Sequence, residues 1–313
     1  MKKFFAMILA LVMVLSMVAC GGSKEAVTLA TGGTSGTYYA VGNTMGTVLS
    51  DVLQKSSLTV TSTGASKANV QLVDAGDANM AILQSDVLNY AHNGTGLFAE
   101  DGKVGSALWV AGLYNETVQL IASPGIESVA DLAGKTVCVG DVGSGTALNA
   151  EQVLEAYGLT FDDVNVMYDS FAGGAEAMKN GQCDAAFTVA GAPTGALTEL
   201  AATYAFNMLS LDADAVAYLT STYPFLVQEN LPANTYTCQP EEVVCVAVKA
   251  VLVASDKLSE DVVYEMTKAM FDNKTALEGG HAKFSFLNTE AALDGSFDLH
   301  PGAQKYYSEV GAL

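Results

Sequence analysis

The chain has 313 residues, half of them hydrophobic and 15% charged, with a formal net charge of −20. That length accommodates two domains of ordinary size, and so acidic a balance argues against nucleic acid or an anionic membrane surface as partner. All 14 basic residues are lysine, so any anion bound here is held without a guanidinium fork.

The opening stretch MKKFFAMILALVMVLSMVAC joins two lysines to an apolar run from Phe4 to Val18, followed by Ala19 and Cys20. This is the layout of a secretory signal, too short for a convincing membrane span. Its end, Met17-Val18-Ala19-Cys20, resembles a bacterial lipobox, which implies cleavage before Cys20 and lipidation of that cysteine. Residues 1–19 are expected to be a signal peptide and residues 20–25 a lipidated, flexible tether, giving an extracytoplasmic lipoprotein anchored to the cell membrane. Loss of Lys2 and Lys3 with the signal moves the charge from −20 to −22.

Beyond the tether, apolar runs of strand length alternate with helical patterns. AVTLA predicts a strand leading into ATGGTSGTYYAVG (Ala30 to Gly42); then YYAVGNTMGTVLSDVL predicts a helix, LTVTST a strand, NVQLVDAG a helix and ANMAILQ a strand. This order is the signature of a parallel sheet covered on both faces. ALWVAGLY and TVQLIAS predict two further strands, and ESVADLAGK a short helix ending at Gly134. The pattern then restarts: GKTVCVG as strand, DVGSGT as a glycine-rich turn, ALNAEQVLEAYG as a helix closed by Gly158, VNVMYDSF as strand, GAEAMKNG as helix and CDAAFTVAG as strand.

Setting GGTSGT against DVGSGT gives an offset of 109 residues, and GDANMAIL against GQCDAAFT an offset of 105. Two elements recurring in order at nearly equal offsets predict two similar lobes. From Leu211 comes an irregular section, STYPFLVQENLPANTYTCQPEE, and then VVCVAVKAVLVAS, a run suited to a strand that passes back from the second lobe to the first. DKLSEDVVYEMTKAMFDN predicts an amphipathic helix, and HPGAQKYYSEVG a helix that begins after Pro301 and stops at Gly311. The expected fold is α/β: two similar lobes, each with a mostly parallel sheet flanked by helices, joined by crossover strands, with a ligand cleft between them. Lobe 1 is assigned residues 26–118 and 241–313, and lobe 2 residues 119–240.

Chemistry-bearing patterns narrow the function. A P-loop needs a lysine where Thr146 stands, and a dinucleotide fingerprint needs a glycine where Leu148 stands. His92, His281 and His300 fall in polar, loop-like surroundings, no Gly-x-Ser-x-Gly elbow occurs, and no cluster has metal-ligand spacing. No enzyme, cofactor or metal is therefore expected, a hydrolase being the weaker alternative. Cys138, Cys183, Cys238 and Cys245 lack CxxC spacing. The first two read as small buried thiols, whereas Cys238 and Cys245 could bridge in an oxidising space.

Each glycine loop ends a predicted strand and starts a predicted helix. The unpaired N–H groups of a helix start can hold a carboxylate without a cation; alternatively the hydroxyls only cap their own helices. Ser66, Lys67 and Asn69 in TGASKAN, and Gln84, Ser85 and Asp86 in AILQSD, gather at the same strand ends, where open α/β sheets bind ligands. Gln84 is the better candidate of its group because an amide donates and accepts, and Asp86 reads equally well as a helix cap.

Together these stretches resemble the TAXI-type solute receptors of TRAP transporters. TGGTSGTYYAVG, ILQSDV and GKTVCVGDVGSGT are similar to family signatures, and SFAGGAEAMKNGQCDAAFTVAGAP, YPFLVQENLPANTY and LHPGAQKYYSEVG to further segments in the expected order. Ala65 and Cys238 depart from the family, which often has glycine there. The resemblance implies a type II periplasmic-binding-protein-like monomer. It would close on a small carboxylate or amino-acid solute, such as glutamate, glutamine or a dicarboxylate, and deliver it to TRAP membrane subunits. Motif positions carried over as ligand-binding are Thr34, Ser35, Gly36, Thr37, Tyr39, Ser66, Asn69, Gln84 and Ser85 from lobe 1. From lobe 2 they are Ser144, Gly145, Thr146, Phe171, Ala190, Gly191 and Pro193. Tyr38 reads equally as buried support. A sensor for a signalling receptor is the runner-up role.

Overall fold

A computed structural model describes residues 24–313; the expected signal peptide and Cys20 lie outside the described residues. The first unit is built from three parallel strands, β1 (Glu25–Ala30), β2 (Ser56–Thr61) and β3 (Met80–Gln84), with β1 in the middle. Helices α1 (Thr37–Leu49), α2 (Ser66–Ala75) and α3 (Ser85–Asn93) follow these strands in turn. Tyr38, Val41, Met45 and Leu49 recur at helical spacing along α1 and form the stripe that packs on Val27 and Leu29 of β1.

The second unit repeats the plan with β5 (Thr136–Cys138), β6 (Asn165–Met167) and β7 (Ala185–Ala190), all parallel, with β5 in the middle. Helices α4 (Gly145–Ala156), α5 (Phe171–Lys179) and α6 (Gly195–Ala201) follow those strands, and β8 (Asn207–Met208), α7 (Ala213–Thr222) and β9 (Val227–Leu231) complete the unit. The recurrence seen in the sequence is thus a recurrence of strand order, 2-1-3 in one half and 6-5-7 in the other.

Two long antiparallel strands, β4 (Ala107–Ala122) and β10 (Val243–Ser255), join the halves into one sheet of order β2-β1-β3-β10-β4-β7-β5-β6. β10 pairs with β9 over Val243–Ala247 and with β3 over Ala250–Ala254, so one strand serves both halves. The hydrophobic cores divide at the same level. Tyr114 and Ala250 belong to the first core, Val118 and Val248 to the second. The start of β10 therefore packs with the second half, although the sequence assigned everything from residue 241 to the first. Helices α8 (Glu260–Asp272), α9 (Lys274–Gly280) and α10 (Pro301–Glu309) return the chain to the first core.

ALWVAGLY and TVQLIAS are one continuous strand rather than two. The polar pair Asn115-Glu116 between them reads as a break, but it lies where β4 passes from one half to the other and Glu116 is buried. ESVADLAGK forms a 3-10 turn at Val129–Leu132 rather than an α-helix, and only Asn165–Met167 of VNVMYDSF is strand. Cys238 and Cys245 are free thiols, as are Cys138 and Cys183. Among the described residues no helix is long and apolar enough to cross a membrane.

Candidate functional site

The two glycine loops face each other across one cavity of about 30 Å³, room for roughly two water-sized groups in this closed arrangement. From the first half it is lined by Gly32, Gly33, Gly36, Thr37, Tyr38, Ala65, Ser66 and Gln84, with Glu116 on the connecting strand β4. From the second half come Asp141, Ser144, Gly145, Thr146, Phe171, Val189 and Ala190.

Helix starts dominate the donor side of this cavity. Gly36, the N-cap of α1, offers no side-chain cap, which leaves the first-turn N–H groups of Thr37 and Tyr38 for another acceptor. On α4 the Ser144 hydroxyl accepts from Ala147 N at 3.1 Å, so Ser144 caps its own helix, while the amides of Gly145 and Thr146 stay uncapped at the cavity wall. Two helix starts aimed at one small space, one without a side-chain cap and one with only its Ala147 amide capped, concentrate partial positive charge there without any cationic side chain.

Bonds between the halves hold the cavity shut. Thr37 Oγ1 donates to Gly191 O at 2.9 Å, and Phe171 lies against Gly36. Gln84 Nε2 donates to Asn149 Oδ1 at 3.1 Å; Asn149 Nδ2 in turn donates to Asp86 Oδ2 at 3.2 Å and Gln152 Oε1 at 2.9 Å. Asn149, inside α4, is a residue that the sequence reading passed over. It is fully buried and ties α4 to both residues flanking the start of α3.

Other sequence candidates do different work. Asn69 is buried, but its amide donates to Thr31 O and Ile82 O and its oxygen accepts from Thr63, so it braces strand ends instead of lining the cavity. Ser66 accepts from Gln84 N at 3.2 Å and so positions a cavity residue as well as lining the space. Lys67 is engaged by Leu97 O and Asp101. Thr34 and Pro193 are exposed, Ser35 and Tyr39 half-buried, and none of these lines the cavity. Ser85 and Gly191 are buried beside it without lining it.

His300 corrects the expectation of loop-like surroundings: it is buried, it caps α10 by accepting from Gly302 N, and its Nε2 meets Leu258 O at 3.1 Å. His92 and His281 also stand outside the cavity. Among the described residues no group of three or more His, Cys, Asp or Glu could hold a metal ion.

Ala65 explains a departure noted above. Its φ of +66° and ψ of −143° lie in a region that a side chain disfavours and glycine adopts freely. Ala65→Gly is expected to raise stability by about 1 kcal/mol in urea denaturation; a loss of stability would show that the loop carries no such strain.

Burial pushes the Asp86 carboxyl up to about 6, against the opposing effect of its bonds from Asn149 and its neighbouring backbone N–H. Its folded-state pKa is thus raised above the unfolded value, and folding holds the proton more tightly. Below pH about 4 both states are protonated and nothing is lost; as pH rises through 6 the folded state ionises at a cost. Asp86 alone should therefore make the solute-free protein about 1–1.5 kcal/mol more stable at pH 5 than at pH 7; buried Glu116 acts in the same direction, and His281 and His300, whose protonation burial disfavours, act against it. Thermal melts of wild type and Asp86→Asn at the two pH values decide this: wild type should gain that much more than the variant on going to pH 5, and an equal change in both would refute it.

Residues 29–311 match the model of the NMT1-like family. The chain belongs to the NMT1-like family. This NMT1-like chain shares its fold with PhnD1 from Prochlorococcus marinus (MIT 9301), solved with methylphosphonate, at a TM-score of 0.57 and 11% identity, over 92% of this chain and 99% of that one. A protein of Bordetella bronchiseptica RB50 aligns at a TM-score of 0.52 and 16% identity, over 92% and 81% of the two chains. The α/β architecture of this NMT1-like protein, a mixed and mostly parallel sheet flanked by helices, is that of type II periplasmic binding proteins.

Proposed function

We propose that the protein is an extracytoplasmic solute receptor of a TRAP transporter of the TAXI type. Its two lobes close around a small carboxylate or amino-acid solute and hand it to membrane permease subunits. The observation that carries this reading is the cavity where the starts of α1 and α4, with free first-turn amides at Thr37, Tyr38, Gly145 and Thr146, meet from opposite halves. Its amide side suits a carboxylate, and the bonds from Thr37 to Gly191 and from Gln84 to Asn149 can form only when the halves are together. Closure that depends on what lies in the cleft is the signal a membrane carrier can read.

On this reading the receptor is monomeric, is held at the membrane by a lipid on Cys20, uses no cofactor and performs no reaction. The ordered segments from TGGTSGTYYAVG to LHPGAQKYYSEVG favour the TAXI assignment. A second reading, a receptor of an ABC transporter for phosphonates, draws support from the fold shared with PhnD1 in its methylphosphonate complex.

Calorimetry of the folded protein against amino acids, dicarboxylates, methylphosphonate and alkanesulfonates tests the proposal. Binding of an amino acid or carboxylate is the expected result. Tight binding of methylphosphonate alone would favour the ABC reading, and no binding by any of them would sink both. Mass spectrometry of solute retained through purification, with a TRAP membrane gene beside this one, would strengthen the first reading.

A further inference from the structure

An anion grip does not account for a carboxyl group in its own wall. Glu116 lines the cavity and is 1% exposed. The Tyr38 hydroxyl donates to its Oε2 at 2.5 Å; its Oε1 receives no hydrogen bond, and no lysine or histidine nitrogen lies within 4 Å of it among the described residues. Lys283 stays over the Tyr114 ring, 5.9 Å from its centre, and exerts only a weak pull. Burial drives the Glu116 carboxyl well above the usual carboxylate range; Tyr38 opposes this, Asp86 adds to it and Lys283 slightly offsets it. Burial thus favours the neutral acid in the empty cavity, whereas a cation brought to Oε1 favours the ionised form, so cation binding and ionisation of Glu116 reinforce each other.

A second, independent group points the same way. Gln84 is 2% exposed, and its Oε1 is buried with no hydrogen-bond partner, lying against Gly145 at the cavity wall. The cavity thus offers donors from two helix starts and acceptors from Glu116 Oε1 and Gln84 Oε1. A plain anion satisfies only the first set. An ammonium group has three donors and no acceptor and suits the second.

We propose that Glu116, together with Gln84 Oε1, receives the ammonium group of a zwitterionic solute whose carboxylate rests on the starts of α1 and α4, and that Glu116 thereby selects amino acids over plain carboxylates and phosphonates. The assignment rests on the solute-receptor reading above. A dicarboxylate or methylphosphonate offers no ammonium donor to these acceptors, and an ionised Glu116 would repel its charge strongly in surroundings of low polarizability. Half-buried Asp141, which also lines the cavity, adds to that bias.

Calorimetry with matched pairs tests it: L-glutamate against glutarate, and L-alanine against propionate, each differing by one ammonium group. Wild type is expected to bind the ammonium-bearing member of at least one pair roughly tenfold or more tightly, the scale of a charged hydrogen bond. Glu116→Gln keeps the shape and an acceptor but cannot ionise; it should bring the two affinities within each pair together, read as their ratio. Equal affinity of wild type within the pairs, or an undiminished preference in Glu116→Gln, overturns the assignment and leaves the receptor reading standing. Failure of folded wild type to bind any of the four, or methylphosphonate, overturns both. Should Glu116→Gln not fold, the wild-type pairs alone decide.

Discussion

Gly145→Ala is expected to lower affinity for L-glutamate, or for the solute retained on purification, by about 100-fold, about 2.7 kcal/mol, without weakening the fold. Gly145 is the first residue of α4, and its backbone is not among those with positive φ, so alanine fits the helix and even favours it. The obstacle lies across the cleft: a Cβ there would stand 1.6 Å from Gln84 Oε1 and 2.3 Å from Gln84 Cδ. Gln84 must then swing away, which breaks its bond to Asn149 and leaves Asn149 to bridge the halves through Asp86 alone. The added methyl also enters a cavity of only about 30 Å³. Calorimetry paired with a thermal melt separates the effects; unchanged affinity would mean that the contact of Gln84 with Gly145 is absent from the solute-bound form.

Why this glycine was legible in the sequence while its partner's role was not follows from the range of the forces involved. Glycines and hydroxyls between a strand and a helix are a local signature, and GGTSGT and DVGSGT do come to one cavity. What each hydroxyl does depends on the direction of its side chain. Thr34 points to solvent, Ser144 turns back to cap α4, and Thr37 crosses to Gly191. Asn69 carries the composition of a ligand residue, yet nearby backbone carbonyls consume its donors.

Glu116, on the acceptor side of the cavity, was silent for a different reason. Tyr38 and Glu116 lie 78 positions apart and meet only because β4 crosses between the halves. Within its own segment Glu116 looks like the end of a strand, since polarity marks equally a residue facing water and one facing a buried cleft. Asn149 is hidden in the same way inside a helix pattern. The parallel units were readable because each strand–helix repeat is short and local, and the length of VVCVAVKAVLVAS already marked it as a strand passing between the halves; the level of the crossing was not readable, because Lys249 between Val248 and Ala250 looks like any outward-facing strand residue.

Gly302→Ala should destabilise the protein by about 3 kcal/mol or more, lowering the midpoint of the unfolding transition that reports on the first half. Gly302 follows Pro301 at the start of α10, where a Cβ would stand 2.4 Å from Glu260 O, 2.6 Å from Tyr264 N and 2.8 Å from Val263 Cβ of α8. Two of these are backbone atoms of a helix, so the clash cannot be relieved by turning a side chain, and α10 has to lift from α8. Lifting it draws Ala303, Tyr306 and Tyr307 out of the first core, and the Tyr307 hydroxyl from Val110 O of β4, 3.0 Å away. The single tryptophan, Trp109, is buried on that same strand, stacked on Phe297 with 4.8 Å between ring centres. Its fluorescence in urea therefore follows the half that the substitution strains. An unshifted midpoint would show that α10 is held by its rim and not by the close approach that Gly302 permits. Because Glu116 stands on β4 a few residues beyond Val110, the loosened helix should also weaken solute binding, though less than Gly145→Ala, which acts inside the cavity itself.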